Sequence, residues 1–302
     1  MSATPALAPM RPPLRYRIPW KRIVLYVLAV LFALYVLLPF YWIVATSFMH
    51  EPDALSVPPE WIPHHPTLDN YLAFLHPSQA QALVGSRAAE DTPHALINSV
   101  IVALCTALLN LLLGIFSAYS FARLKFRGGG TLLMVYLASR MVPGIAIIIP
   151  FYLVMRTLGL LDSYVALILS YVTFALPFTI WILKDYFRSI PRELEDAARV
   201  DRCSWWTMMW RVFLPIAAPG LVAASVFSFM TAWNEFMFAL FLTNTIRSQT
   251  IPVIAANFAT DLNTPFTFMA ASGVLAVVPP LVLALIFQRL IVQGLAAGSV
   301  KG

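Results

Sequence analysis

Charge is scarce in this chain. Only 11% of its 302 residues are Asp, Glu, Lys or Arg, against 60% hydrophobic residues and a mean hydropathy of +0.78. A water-soluble domain of this length could not keep so much apolar surface from solvent, so the class is integral membrane. Cysteine is equally sparse. Cys105 falls inside an apolar run and Cys203 in a charged segment, so the two lie at different depths and form no structural disulfide. The five histidines, His50, His64, His65, His76 and His94, share one Pro-rich stretch without a recognised ligand spacing, and no metal site is expected there. No glycine-rich phosphate loop with a following Lys-Ser/Thr is present, so any ATP consumed in this protein's work is hydrolysed by another chain.

Long apolar runs are plentiful. A helix needs roughly 20 apolar residues to cross a hydrocarbon core about 30 Å thick. Six stretches meet or approach this length: Ile23–Met49, Leu96–Ala122, Thr131–Met155, Ser163–Leu183, Ile216–Leu242 and Phe266–Phe287. They are continuous rather than alternating, which points to helices and away from a barrel. The expected fold is an all-α integral membrane protein with six transmembrane helices. The first run is far longer than a secretory h-region and lacks a small-residue cleavage pattern, so it reads as an uncleaved span. Its aromatics, Tyr26, Tyr35, Phe40, Tyr41 and Trp42, read as lipid-facing or packing residues.

The net charge of +6 follows the membrane rather than marking a nucleic-acid binder. With six spans, 16 of the 20 basic residues fall on one side: before the first span, between the second and third, between the fourth and fifth, and after the sixth. The positive-inside rule makes that side, and both termini, cytoplasmic. The opposite side holds Arg87, Arg156 and Arg247 with eight acids. Residues 1–21 then form a cytoplasmic tail at an anionic lipid surface, and residues 22–302 a single transmembrane domain. That domain carries an exterior segment at 50–95, a charged cytoplasmic segment at 189–215 and a cytoplasmic tail at 289–302.

Within the spans, Arg140 stands beside Met141-Val142-Pro143-Gly144. Proline and glycine there free backbone groups that neighbours or a water-lined cavity must satisfy, suggesting a bent helix, and Arg140 needs a cavity or a partner. Trp233, Asn234 and Glu235 lie roughly 26–28 Å into the fifth run, counted at 1.5 Å per residue. An indole, an amide and a carboxylate suit a sugar, but the same residues suit an interface anchor and helix–helix hydrogen bonds, so solute contact and gating or packing both stay open. Arg140, roughly 14 Å from the inner edge by the same count, is expected at another depth, which disfavours an Arg140–Glu235 pair. Asn98, Asn110, Ser117 and Ser120 in the second span read as helix–helix contacts.

The segment from Ile190 to Gly220 is charged and helix-prone between two apolar runs. Ser189 or Ile190 can start a short helix with Pro191 in its first turn, and Glu193, Glu195 and Asp196 suit the positive end of its dipole. Ala197 and Ala198 keep one face thin enough for another surface to approach. Ser204 reads as the cap of a second short helix, Trp205 to Phe213, ended by Pro215 and rich in tryptophan. Two such helices joined by a tight turn make a mechanical coupler for a soluble partner.

This segment resembles the EAA loop of permease subunits of binding-protein-dependent ABC importers. Asp196-Ala197-Ala198 stands for the E-A-A, Asp201 for the following aspartate, and Leu214-Pro215 for the closing pair. Arg202 departs from the family's glycine, and a non-glycine residue at positive φ costs about 1 kcal/mol. Asn98-Ser99, Ala118-Tyr119 through Ala122-Arg123, Arg140-Met141-Val142-Pro143, Leu176-Pro177-Phe178, Trp233-Asn234-Glu235-Phe236 and the tail from Gly294 to Gly302 are similar to the maltose-type, MalG-like branch.

The resemblance implies an importer permease with no chemistry of its own and no cofactor bound by this chain. ATP and Mg²⁺ would sit on a cytoplasmic ATPase dimer, and a second, MalF-like permease and an extracytoplasmic solute-binding protein would complete the assembly in a prokaryotic plasma (inner) membrane. It implies that Glu195, Asp196, Ala197, Ala198, Asp201, Arg202, Leu214 and Pro215 couple to the ATPase, and that Gly298, Val300, Lys301 and Gly302 reach toward it. It also implies a sugar or sugar-like solute. An intramembrane enzyme would need a nucleophile–base pair or metal ligands at depth, and the spans hold no histidine and no pair of acids. An ion-coupled carrier of a small polar solute is the competing class, although Arg140 and Glu235 are the two ionisable residues found at depth.

Overall fold

The structure, a computed structural model, describes residues 20–76, 87–260 and 266–299. Every regular element among them is helical. The chain divides into two units at Ile43. Helix α1 (Trp20–Ser47) supplies the first and enters the second at Val44. Its Tyr26, Tyr35, Phe40 and Tyr41 are exposed, as lipid-facing side chains are.

After the end of α1 the second unit continues with two short helices, α2 (Glu51–Ala54) and α3 (Asp69–Leu75). Helix α4 (Arg87–Arg123) is the second span and starts nine residues earlier than the apolar run, carrying Pro93 inside it. The third span is two helices, α5 (Gly129–Ala138) and α6 (Gly144–Thr157), joined by a 3₁₀ turn over Ser139–Met141 and bent by 96°. The expected bend is therefore a sharp break. Pro143 has no N–H and drives Val142 out of the helical region, to φ −70°, ψ 122°. Helix α7 (Tyr164–Ser189) is the fourth span, its N-terminus capped by the Ser163 hydroxyl on the Ala166 amide.

The charged segment between the fourth and fifth spans is α8 (Arg192–Val200) followed by a rod from Trp205 to Ile216. Helix α10 (Ala218–Trp233) leaves that rod at 80°. The rod itself is α9 (Trp205–Met208), a π turn over Met209–Phe213 and a last turn over Leu214–Ile216. It thus runs past the expected end at Pro215. The wider π turn, closed by the Leu214 amide on the Met209 carbonyl, makes room for a proline ring that would crowd a regular helix. The fifth span is likewise not one helix to Leu242. It stops at Trp233 and resumes as α11 (Met237–Leu242). Helices α12 (Ile251–Thr260) and α13 (Phe266–Ser299) complete the chain, and α13 extends well beyond Phe287. Four helices can cross a bilayer alone, and six spans result when each bent pair counts as one.

Lipid tails are as apolar as leucine, so helices in a bilayer associate through close packing and hydrogen bonds rather than through the hydrophobic effect. Helices α4, α7 and α10 form the centre by that means. A Cβ on Gly220 would collide with the Tyr186 ring, and one on Gly114 would come within 2.6 Å of Thr179 Cγ2. The Thr179 and Ser228 hydroxyls meet at 3.0 Å in the same buried zone. One core, of Phe74, Ile254, Phe258 and Phe268, joins α3, α12 and α13. A second core, of Tyr119, Phe187, Met208, Met209 and Phe213, seats the charged two-helix segment.

Loops between the spans are pinned by side chains on backbone groups. The Asn98 amide donates to the carbonyls of Ile246 and Gln249, both at 2.8 Å, and Tyr164 donates to Asn98 Oδ1. Asn98 therefore holds the loop between the fifth and sixth spans and also bonds α7, the fourth span, as a helix–helix contact. Glu51 accepts from the amides of Phe266 and Thr267, capping α13 from a distant helix. Asp162, itself left-handed at φ 57°, accepts from the amides of Asn244 and Thr245 and the hydroxyls of Thr245 and Ser248. Partial burial opposes ionisation of this carboxyl, but the Ser248 and Thr245 hydroxyls and the two amides outweigh it and hold the pKa at about 2.

A carboxylate whose pKa is depressed by folding adds stability above its unfolded value and loses that contribution as pH falls through the folded one. The difference in Tm between the wild type and Asp162→Ala in detergent should be constant above about pH 4 and disappear toward pH 2. A difference independent of pH would show that the charge on Asp162 is immaterial.

Coupling segment and transport cleft

Helix α8 has a buried and an exposed side. Glu195 is 7% exposed and Ala198 is buried beside it, while Asp196, Ala197, Asp201 and Arg202 are exposed. Glu195 lies between two arginines: Arg199 Nη2 donates to its Oε1 at 2.7 Å, and Arg123 Nε stands 3.7 Å from its Oε2. Tyr119 donates to the same Oε1 at 3.4 Å. Arg123 also donates to the Ile190 carbonyl at 2.6 Å and lies 5.2 Å from the centre of the Phe213 ring. One guanidinium at the end of α4 thus gathers the end of α7, helix α8 and the rod. Glu195, expected among residues facing the ATPase, instead turns inward. Leu214 is buried as well, and Pro215 is exposed.

The turn after α8 is left-handed, as glycine would make it. Arg202 sits at φ 54°, its amide donates to the Arg199 carbonyl, and the next amide, of Cys203, donates to the Ala198 carbonyl. These two bonds complete a Schellman cap on α8. The Ser204 hydroxyl then accepts from the Thr207 amide and opens the rod as expected. The first helix is capped differently from expectation, with Pro191 at its N-cap and no side-chain bond there.

Trp233, Asn234 and Glu235 occupy the break in the fifth span. Trp233 is 3% exposed, stacks on Phe229, and donates through its indole N–H to the Ala276 carbonyl at 3.1 Å. That carbonyl lacks its helical donor because Pro280, four residues on, has no N–H. The Asn234 amide donates to the Met230 carbonyl and closes α10, and the Glu235 carboxylate accepts from the amides of Phe238 and Ala239 and opens α11. The two polar residues therefore bond the broken ends of their own helix.

Glu235 also lines a cleft of about 370 Å³ together with Arg140, Tyr171, Phe174 and Thr231. Counting along uninterrupted spans sets Arg140 and Glu235 at different depths, yet they border one cleft because both spans are broken there. No ion pair joins them among the described residues. The Arg140 guanidinium lies 5.8 Å from the centres of the Phe178 and Phe227 rings instead. Trp233 and Asn234 border a separate, mainly apolar cleft between α10, α12 and α13. Gly298 falls inside α13, and Val300, Lys301 and Gly302 lie outside the described residues. Among the described residues no group of three or more His, Cys, Asp or Glu could hold a metal ion.

Sequence reasoning missed the grip of Arg123 and Tyr119 on Glu195, because the two halves are separated by about 70 residues of unrelated span. The partnership of Trp233 with the carbonyl freed by Pro280 was equally hidden, although a proline inside a span does signal an acceptor in need of a donor.

Two of the spans are broken, a two-helix element is gripped by Arg123, and Arg140 and Glu235 border one cleft at the breaks. Residues 88–297 match the family model for the binding-protein-dependent transport system inner membrane component, and the chain belongs to that family, the permease subunits of ABC importers. It is 38% identical over 270 residues to the trehalose transport system permease protein SugB of Mycobacterium tuberculosis, covering 89% of this chain and 93% of that one. It is 34% identical over 283 residues to the trehalose/maltose transport system permease protein MalG of Thermococcus litoralis, covering 93% and 98%. A chain of a bacterial ABC transporter that imports the acidic polysaccharide alginate shares the fold, with a TM-score of 0.76 at 23% identity over 92% of this chain and 99% of that one.

Two substitutions test the coupling geometry. Arg202→Gly should stabilise the purified protein by about 1 kcal/mol by relieving the left-handed arginine, read as a raised Tm. Glu195→Ala should destabilise it by roughly 3–5 kcal/mol, because Arg123 then keeps a buried charge without its carboxylate. An unchanged Tm in the second variant would show that the buried pair does not fasten α8.

Proposed function

We propose that this chain is the MalG-like half of a sugar importer in a prokaryotic plasma membrane, with both termini in the cytoplasm. Its partners are a second, MalF-like permease, a cytoplasmic ATPase dimer that holds ATP and Mg²⁺, and an extracytoplasmic protein that delivers the solute. A sugar or sugar-like solute is supported by the relatives' names, which include permeases for trehalose, maltose, diacetylchitobiose and sulfoquinovosyl glycerol. Membership of an ATP-driven family displaces the ion-coupled carrier as the leading alternative.

The observation that carries the coupling role is the two-sidedness of α8. Its exposed residues, Asp196, Ala197, Asp201 and Arg202, offer a thin, charged surface to a soluble partner. Its buried Glu195 ties it to Arg123 at the end of a span. A push on the exposed side is therefore delivered to α4, and through the α4–α7–α10 core to the walls of the cleft. Packed interfaces shift between discrete arrangements rather than deforming smoothly, so such a push selects outward- or inward-facing states. Arg140 and Glu235, held at helix breaks beside that core, then line the solute's path or gate it.

Replacing Asp196 or Asp201 with Lys reverses one charge on the docking surface without touching the buried side. The ATPase should no longer co-purify and uptake should fall to background. Normal uptake with either substitution would overturn the docking role. Cys203 in the adjacent turn reports sidedness: a membrane-impermeant maleimide should label it in inverted vesicles and not in right-side-out ones.

A further inference from the structure

The rod from Trp205 to Ile216 has a surface that docking to the ATPase does not explain. It stands 80° from α10, so with α10 crossing the bilayer the rod lies nearly in the membrane plane. Its inner side is apolar and buried, with Met208, Met209 and Phe213 in the core and Trp205 against the Tyr119 ring. A short helix with water on its outer side normally carries charge there. This one presents Trp206 at 57% exposure and Trp210 at 62%, four residues apart on one face, with exposed Arg211 beside them and exposed Ile216 at the end.

Depth identifies what covers this face. The Trp206 ring meets Phe116 of α4 edge-on at 5.9 Å. Phe116 lies seven residues before Arg123, the last residue of α4, which is about 10 Å back along the span. The outer indole thus reaches toward the hydrocarbon and away from the cytoplasmic end of the helix. Tryptophan concentrates where one edge meets apolar chains and the N–H meets water or headgroups, and basic side chains at the cytoplasmic leaflet find anionic phosphates.

We propose that the rod is a membrane-surface strut whose occupant is anionic phospholipid of the cytoplasmic leaflet. Trp206 and Trp210 sit at the boundary of headgroups and acyl chains, and Arg211 pairs with a lipid phosphate. The strut keeps the lower end of α10 at a constant depth, so that a push on α8 turns the helices instead of driving them along the membrane normal. The proposal rests on the cytoplasmic placement of the coupling segment described above.

The test uses the assembled transporter carrying Cys105→Ser and Cys203→Ser, with a nitroxide attached at Trp210→Cys, in lipid nanodiscs. Lipid contact is expected to make the label more accessible to oxygen than to a water-soluble nickel chelate, with or without the ATPase bound. Greater accessibility to nickel would mean that the face is in water. Protection from both probes that appears only with the ATPase would make protein the occupant. Either result overturns the strut. In a second measurement, Arg211→Gln should lower the enrichment of phosphatidylglycerol over phosphatidylcholine in the purified complex by about fivefold, the equivalent of one basic charge at the surface. Unchanged enrichment overturns the phosphate contact. Labelling of Cys203 from the exterior would instead sink the underlying topology, so the two failures are distinguishable.

Discussion

Inside a bilayer no water is available to a freed backbone N–H or C=O, and each unsatisfied group costs several kcal/mol. A transport protein nevertheless needs broken helices, because a cleft cannot form between unbroken rods packed along their whole length. The structure meets both demands with side chains placed at the breaks. Asn234 and Glu235 close and reopen the fifth span, and Trp233 supplies the donor that Pro280 removed from Ala276. Elsewhere Asn98, Glu51 and Asp162 do the same for loops and helix starts. Several ionisable or polar residues that resemble solute ligands in the sequence are therefore committed first to the backbone.

The same economy governs the end that carries α8. Arg123 serves three elements at once: it answers the Glu195 carboxylate, accepts the Phe213 ring against its guanidinium, and satisfies the Ile190 carbonyl where α7 ends. A planar, permanently charged fork can do this where a lysine could not. In the proposed coupling role the exposed residues of α8 meet the partner, and the buried acid transmits what that partner does. Coupling by rigid attachment fits a chain that holds no nucleotide-binding motif of its own.

Much of this was legible beforehand. The six apolar runs, the asymmetry of basic residues and the Pro-Gly breaks all follow from the requirements of the bilayer on single segments. So does the cap at Ser204, which needs a residue and its third neighbour. The left-handed turn at Arg202 was legible in position from the pattern of the segment, and the structure shows that arginine occupies the conformation glycine would take. Span lengths were less legible. The run Ile216–Leu242 is uniformly apolar apart from its polar triplet, and hydropathy registers that triplet as a ligand set sooner than as a chain break.

Composition and local pattern by themselves determined that the chain lives in a membrane, crosses it as helices, and carries a two-helix element suited to a soluble partner. Those properties depend on transfer free energies and backbone chemistry that act within one segment. Tertiary structure alone decided that Glu195 faces inward to Arg123, that Arg140 and Glu235 border one cleft, and that Trp233 answers a proline 47 residues away. Each of these joins groups distant in sequence, and which donor meets which acceptor is settled only when the helices pack.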